Sequence, residues 1–148
     1  MSMDMEEQYD KIYRYCYFKL RHRETAEDIT QETFLRYFEK YHCTTAEQTL
    51  KCLYTIAGNL CTDEYRRRRP AVPLDEAIPD HSEEEQILTG FAVKSALSQL
   101  DAADQELLLL RYVNEVPVSA IGQLLGISRF AVYRRLLAAA KSLREKLE

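Results

Sequence analysis

Apolar residues recur at three- and four-residue steps through most of this 148-residue chain, and between residues 71 and 85 the recurrence stops. A three-and-four rhythm lines one face of an α-helix with apolar groups. In the interruption prolines stand at 73 and 79, and Asp75, Glu76, Asp80, Glu83, Glu84 and Glu85 meet no lysine or arginine. Such a stretch is a linker. The fold class expected is therefore all-α: two small helical domains, residues 1–69 and 86–148, joined by a flexible acidic linker over 70–85. Each block is barely large enough to hold a core of its own. Their mutual orientation is expected to be loose. Four glycines and four prolines suit helices better than a turn-rich all-β fold.

In the first block Tyr9, Ile12, Tyr13, Cys16, Tyr17 and Leu20 share one helix face. A second helix is predicted to start at the capping pattern TAED (25–28) and to continue through Ala26, Ile29, Thr33, Phe34, Tyr37, Phe38 and Tyr41. A third begins after Thr45, with Gln48 at capping-box spacing. It carries Leu50, Leu53, Tyr54, Ala57, Leu60 and Cys61 on one side and stops at Pro70. Beyond the linker Ile87, Leu88, Phe91, Leu97 and Leu100 mark a fourth helix, and Asp101 is placed to cap a fifth. A short helix closed by Gly126 and a long one capped by Ser128 complete the chain.

No apolar run approaches the roughly 20 residues of a membrane-spanning helix, and the acidic start MSMDMEEQYD is unlike a secretory leader. The expectation is a cytoplasmic protein with no membrane insertion. Cys16, Cys43, Cys52 and Cys61 form no CxxC pair and have no histidines at zinc spacing. Three of them fit helix faces as small buried groups; redox sensing is the alternative. His22, His42 and His81 show no spacing to an acid, base or nucleophile, and no glycine loop is built for phosphates. No catalytic residue, metal, cofactor or small-molecule substrate is expected, and the chain is not read as an enzyme.

Residues 118–137 carry the parts of a helix-turn-helix. Ile121, Leu124 and Leu125 are predicted to face the core, Gly126 to take the turn, Ile127 to plug the corner, and Val132, Leu136 and Leu137 to pack the second helix inward. The outward set is then Ser128, Arg129, Phe130, Ala131, Tyr133, Arg134 and Arg135. From residue 129 onward six basic side chains stand against Glu145 and Glu148. A basic helix presented after a glycine turn suits DNA, and exposed aromatics there can meet thymine methyl groups. The run Arg66, Arg67, Arg68 and Arg69 at the end of the third helix is a second concentration of positive charge in a chain of net charge -4.

Three blocks together resemble bacterial sigma factors of the sigma-70 family, extracytoplasmic function (ECF) type. AEDITQETFLRYFEKY (26–41) is similar to the region-two segment that docks on the clamp helices of the RNA polymerase beta-prime subunit. LYTIAGNLCTDEYRRRR (53–69) is similar to the helix that melts and reads the minus-ten promoter element. Residues 100–144 resemble region four, whose helix-turn-helix reads the minus-thirty-five element. The resemblance implies transcription initiation without catalysis in this chain. The partners implied are core RNA polymerase (beta-prime clamp helices and beta flap), promoter DNA and an anti-sigma factor.

By that resemblance Asp28, Gln31, Glu32, Phe34 and Arg36 contact polymerase. Lys51, Tyr54, Asn59, Asp63 and Arg66 to Arg69 contact minus-ten DNA, with the loop 42–49 holding an unstacked base. Ser128, Arg129, Phe130, Ala131, Tyr133, Arg134 and Arg135 contact minus-thirty-five DNA. Tyr54 also lies on the apolar stripe, so core packing competes for it. Departures from the family pattern are Cys52 for tryptophan, Thr55 for arginine, Gly58 for a larger residue, and Gly122 where alanine is preferred. At about 1 kcal/mol of helix propensity that last change reads as tolerable. The competing reading of the whole chain is a helix-turn-helix regulator whose N-terminal block dimerises and which acts without sigma activity.

Overall fold

The computed structural model describes residues 3–68, 93 and 95–147. Among these the elements are α1 (Met5–Leu20), α2 (Arg23–Lys40), α3 (Ala46–Arg68), α4 (Ala102–Leu108), α5 (Val118–Leu125) and α6 (Arg129–Leu147), with no strand. The chain leaves α4 through one π-helical turn, Leu109–Val113. The linker expected over 70–85, most of the predicted fourth helix and the stop at Pro70 lie outside the described residues; 95–98 form a helical turn.

Local chemistry sets the helix ends. The Asp4 carboxylate accepts hydrogen bonds from the Glu6 and Glu7 amides at 3.1 and 3.3 Å, satisfying donors that α1 cannot pair internally. At its other end Arg21 turns left-handed (φ 56°) and donates its N–H to the Tyr17 carbonyl. α2 begins before the predicted TAED cap, because the His22 ring takes that role: its Nδ1 accepts from the Thr25 amide at 3.2 Å. For α3 the Thr45 hydroxyl accepts from the Gln48 amide, while Gln48 Oε1 faces the Thr44 amide instead of closing a box on Thr45. Asp101 sits at the N-cap of α4 without a side-chain hydrogen bond to it.

α1, α2 and α3 pack on one another, and α3 also packs against α5. Ile12, Cys16, Ala26, Leu53 and Ala57 from the first block lie in the same buried cluster as Leu110, Ile121 and Val132 from the second. The loose orientation expected of the two blocks is thus replaced by a common core. Each block alone leaves too little apolar area covered, and joining them removes more of it from water.

The seam between the blocks is polar at its centre. Asn114, 1% exposed, donates through Nδ2 to the Tyr54 hydroxyl (2.7 Å) and to the Lys11 carbonyl (2.8 Å). Its Oδ1 accepts from Arg14 Nε at 3.2 Å. Glu106 receives hydrogen bonds from the Tyr15 hydroxyl and from Lys19, and Tyr15 meets Tyr54 edge to face at 5.1 Å. At the far end Gln123 donates to Glu47 at 2.8 Å. The turn that inserts Asn114 follows the π-helical residues and passes through Glu115 at φ 56°, a left-handed conformation disfavoured for a residue with a Cβ. Local strain is accepted there because it seats a buried amide in three hydrogen bonds.

Candidate nucleic-acid interface

α3 presents a polar stripe. Lys51, Thr55, Asn59 and Asp63 succeed one another at four-residue steps and all are exposed, as are Arg66 and Arg67 in the last turns. Arg67 is paired with Glu64 one turn earlier, leaving Arg66 to project beside it. The side chain of Arg68 and all of Arg69 lie outside the described residues. Tyr54 does not belong to this surface. It is 2% exposed and spent on Asn114 and Tyr15, because position 54 follows the buried Leu50 and Leu53 around the helix. Burial pushes its hydroxyl up to about 12.

The loop before α3 lines an open depression of about 180 Å³ together with Tyr37, Thr49, Met3 and Met5, the loop contributing Cys43, Thr44 and Thr45. Thr49 is buried and shares a 3.2 Å hydrogen bond with the Tyr37 hydroxyl. His42, Thr44 and Thr45 are exposed on the same loop.

α5 and α6 make the helix-turn-helix. Gly126 closes α5 at φ 74°, and its amide and that of Ile127 both reach the Gly122 carbonyl at 2.8 and 3.0 Å. The Ser128 hydroxyl then accepts from the Ala131 amide at 3.1 Å, capping α6 as predicted. Gly122 is more than a tolerable departure. A Cβ there would stand 2.8 Å from the Ile127 carbonyl oxygen, so the tight corner requires its absence. Val132, Leu136 and Ala139 form the buried stripe of α6.

Leu137 and Leu125 depart from their predicted inward placement. Leu137 is 72% exposed because it lies beside that stripe, and Leu125 is 39% exposed at the open end of α5. Ala131, assigned outward, is half-buried beside Val132. Ser128, Arg129, Phe130, Tyr133, Arg134 and Arg135 are exposed as expected, Phe130 at 74%. Together they form one cationic and aromatic face at the N-terminal half of α6.

On α2, Asp28 and Gln31 are exposed, and Glu32 pairs with Arg36 at 2.8 Å on the same flank. Phe34 is 7% exposed and packs on Tyr9 at 5.3 Å, so the partner-contact role assigned to it is not available. The apolar groups that do reach the surface beside Asp28 and Gln31 are Leu35 and Phe38, 59% and 58% exposed. Leu35 falls four residues after Gln31 and seven after Asp28, a spacing that could have identified it. Phe38, expected on the apolar stripe, instead continues this flank. Among the described residues no cluster of His, Cys, Asp and Glu suits a metal ion, and no helix is long and apolar enough to cross a membrane.

Residues 5–71 match the family described as Sigma-70 region 2, and residues 96–145 that described as Sigma-70, region 4. The chain is 27% identical to the ECF RNA polymerase sigma factor SigW of Bacillus subtilis, over 93% of this chain and 83% of that protein. It is 29% identical to the ECF RNA polymerase sigma factor BldN of Streptomyces coelicolor, over 90% of this chain but 55% of BldN. Among solved structures it is similar in fold to the sigma factor RpoE from Bartonella quintana, solved in complex with the anti-sigma factor NepR. The TM-score is 0.67 at 16% identity, covering 94% of this chain and 91% of that one.

Proposed function

Because the chain belongs to the sigma-70 family, among ECF-type RNA polymerase sigma factors, we propose that it binds core RNA polymerase and carries it to a two-part promoter. Residues 1–69 form the unit that docks on polymerase and handles the minus-ten element. Residues 86–148 form the unit that reads the minus-thirty-five element, and 70–85 tether the two. The flank of α2 bearing Asp28, Gln31, Glu32, Leu35 and Phe38 meets the beta-prime clamp helices, and the second unit meets the beta flap. Lys51, Asn59, Asp63 and the arginines at the end of α3 meet minus-ten DNA, with the loop 42–49 receiving an unstacked base. The face of α6 from Ser128 to Arg135 enters the upstream major groove.

The observation that carries this reading is that both cationic helix faces are solvent-exposed while the apolar sides of the same helices are buried together. Cationic side chains on phosphates supply affinity and register. No catalytic step is asked of the chain: binding energy for open DNA drives strand separation and the polymerase performs the chemistry. The protein works in the cytoplasm, where polymerase and promoters are. An anti-sigma factor is its proposed regulator, in keeping with the complex of the structural relative.

Two promoter elements about 25 base pairs apart are separated by roughly 85 Å of duplex at about 3.4 Å per step, whereas the docked chain, with α3 packed directly on α5, has a radius of gyration of only about 15 Å. Reaching both therefore requires the seam at Asn114 to open. The test is transcription from a two-part promoter by purified core polymerase with and without the chain. Promoter-specific transcripts that need both elements support the proposal. Failure to bind core polymerase at low salt, with tight binding to a palindrome instead, would establish a conventional regulator.

A further inference from the structure

The Sγ atoms of Cys43 and Cys52 lie 3.5 Å apart, both side chains half-buried and both free thiols. Cys43 falls within the loop 42–49, but neither thiol is given a part in the promoter-binding reading. Cys43 sits in the non-helical stretch after α2, and Cys52 lies in the second turn of α3. Forming a bond of about 2.05 Å therefore needs an approach of about 1.5 Å, which a segment without helical hydrogen bonds can supply. Cys43 also lines the 180 Å³ depression, which is polar through Tyr37, Thr45 and Thr49 and has room for a small hydroperoxide.

The other two cysteines behave differently. Cys16 and Cys61 are 0% and 1% exposed, on α1 and α3, within the same buried cluster. They are sealed from solvent reagents.

We propose that Cys43 and Cys52 are a reversible oxidation site, closed to an intramolecular disulfide by hydroperoxides, and that closure lowers promoter use by drawing the α2–α3 loop onto α3. The second half rests on the promoter reading above. In the first step the Cys43 thiolate attacks the terminal peroxide oxygen. An S–O bond forms, the O–O bond breaks, and the leaving alkoxide or hydroxide takes up a proton as alcohol or water. In the second, Cys52 sulfur attacks Cys43 Sγ. The S–S bond forms, hydroxide leaves, and it takes the Cys52 proton to depart as water. Two thiols are oxidised and one peroxide is reduced.

Cys52 is not the group that meets the peroxide, since burial and its contact with Cys43 push its thiol up to about 11 and keep it protonated at neutral pH; its place in the second step comes from its 3.5 Å distance to Cys43 Sγ. A dithiol reductant reverses the bond. Closure matters because the tethered loop carries the Thr45 cap and the Tyr37–Thr49 contact at the start of α3, one turn from Lys51.

The experiment treats the full chain with hydrogen peroxide, blocks remaining thiols with an alkylating reagent under native conditions, then maps peptides by mass spectrometry. The expected result is a Cys43–Cys52 crosslinked peptide, restored to two free thiols by dithiothreitol and abolished in Cys52→Ser, with Cys16 and Cys61 modified only after denaturation. Cys43 and Cys52 remaining reduced, or joining different chains, would overturn it.

Promoter-dependent transcription by the oxidised wild type should fall about tenfold, as an ordinary coupling free energy predicts, and recover on reduction, while Cys52→Ser is unaffected. A disulfide with unchanged transcription would overturn the regulatory half. A chain that supports no transcription in either redox state would overturn the sigma reading, and the thiol map alone would then judge the oxidation site.

Discussion

Replacing Asn114 by alanine tests whether the two blocks are held together at the polar centre of the seam. The change removes both bonds donated by Nδ2, at 2.7 and 2.8 Å, and leaves the buried Tyr54 hydroxyl and the Lys11 carbonyl without that partner. The Arg14 contact at 3.2 Å comes from an exposed side chain and adds little. At about 1 kcal/mol net for each of the two bonds, or up to about 2 kcal/mol for each buried partner left unsatisfied, the docked state loses about 2–4 kcal/mol. That is roughly a thirtyfold to eight-hundredfold shift toward the undocked form. Small-angle scattering reads it directly. A compact chain of this length has a radius of gyration of about 15 Å, and the variant should exceed that. Hydrogen exchange should quicken at Lys11 to Tyr15 and at Tyr54 while the α2 amides stay protected. If polymerase takes only the undocked form, apparent affinity for core enzyme rises as the competent fraction rises. A variant as compact and as protected as the wild type would refute the reasoning, and so would loss of protection throughout.

Arg134→Ala should weaken binding to upstream-element DNA and reduce the dependence of log affinity on log salt by about 1, while leaving affinity for core polymerase intact; titrations at several salt concentrations with a polymerase competition assay separate the two. Gly122→Ala should lower the thermal midpoint despite its better helix propensity, because the new methyl meets the Ile127 carbonyl oxygen; overpacking of this kind costs typically about 1–3 kcal/mol, and a stabilised variant would contradict the corner geometry. Cys52 and Tyr54 are held protonated by the fold, at about 11 and about 12. Raised acid pKa values mean that their contribution is fully present below the unfolded values near 9 and 10 and is lost as pH climbs toward 11–12. Thermal midpoints measured from pH 8 to 11 under reducing conditions should therefore fall, and a flat profile would contradict it.

The outward face of α6 was legible because a glycine turn and a capping serine fix the helix phase, so that Arg129, Phe130, Tyr133 and Arg134 follow by counting. Other positions carry no such anchor. Tyr54 satisfies two patterns at once, the apolar stripe of α3 and the DNA-facing helix, and only the presence of Asn114 beside it decides for burial. Asn114 itself reads as an ordinary turn residue; its role depends on a backbone from a different block and is written nowhere near it. The inward placement of Phe38, Leu125 and Leu137 treats large apolar residues as interior, a rule that runs one way only; Phe34 is buried as the stripe predicts, and its partner-contact role rests on the resemblance alone. Two neighbouring phenylalanines on α2 divide the roles, Phe34 against Tyr9 and Phe38 in solvent.

The same limit explains the cysteines. Nine positions separate Cys43 from Cys52, too many for a CxxC motif and off any single helical period, and they meet because the chain after α2 folds back along α3. Spacing patterns detect chemistry carried on one element. The Asn114 seam and the thiol pair are both made where two elements meet. Each couples a surface proposed to face DNA to a contact that does not: the seam links the α3 stripe to the helix-turn-helix, and the proposed thiol switch links the loop before α3 to the redox state of the solution. Regulation built at such junctions can change without altering a residue that touches the promoter.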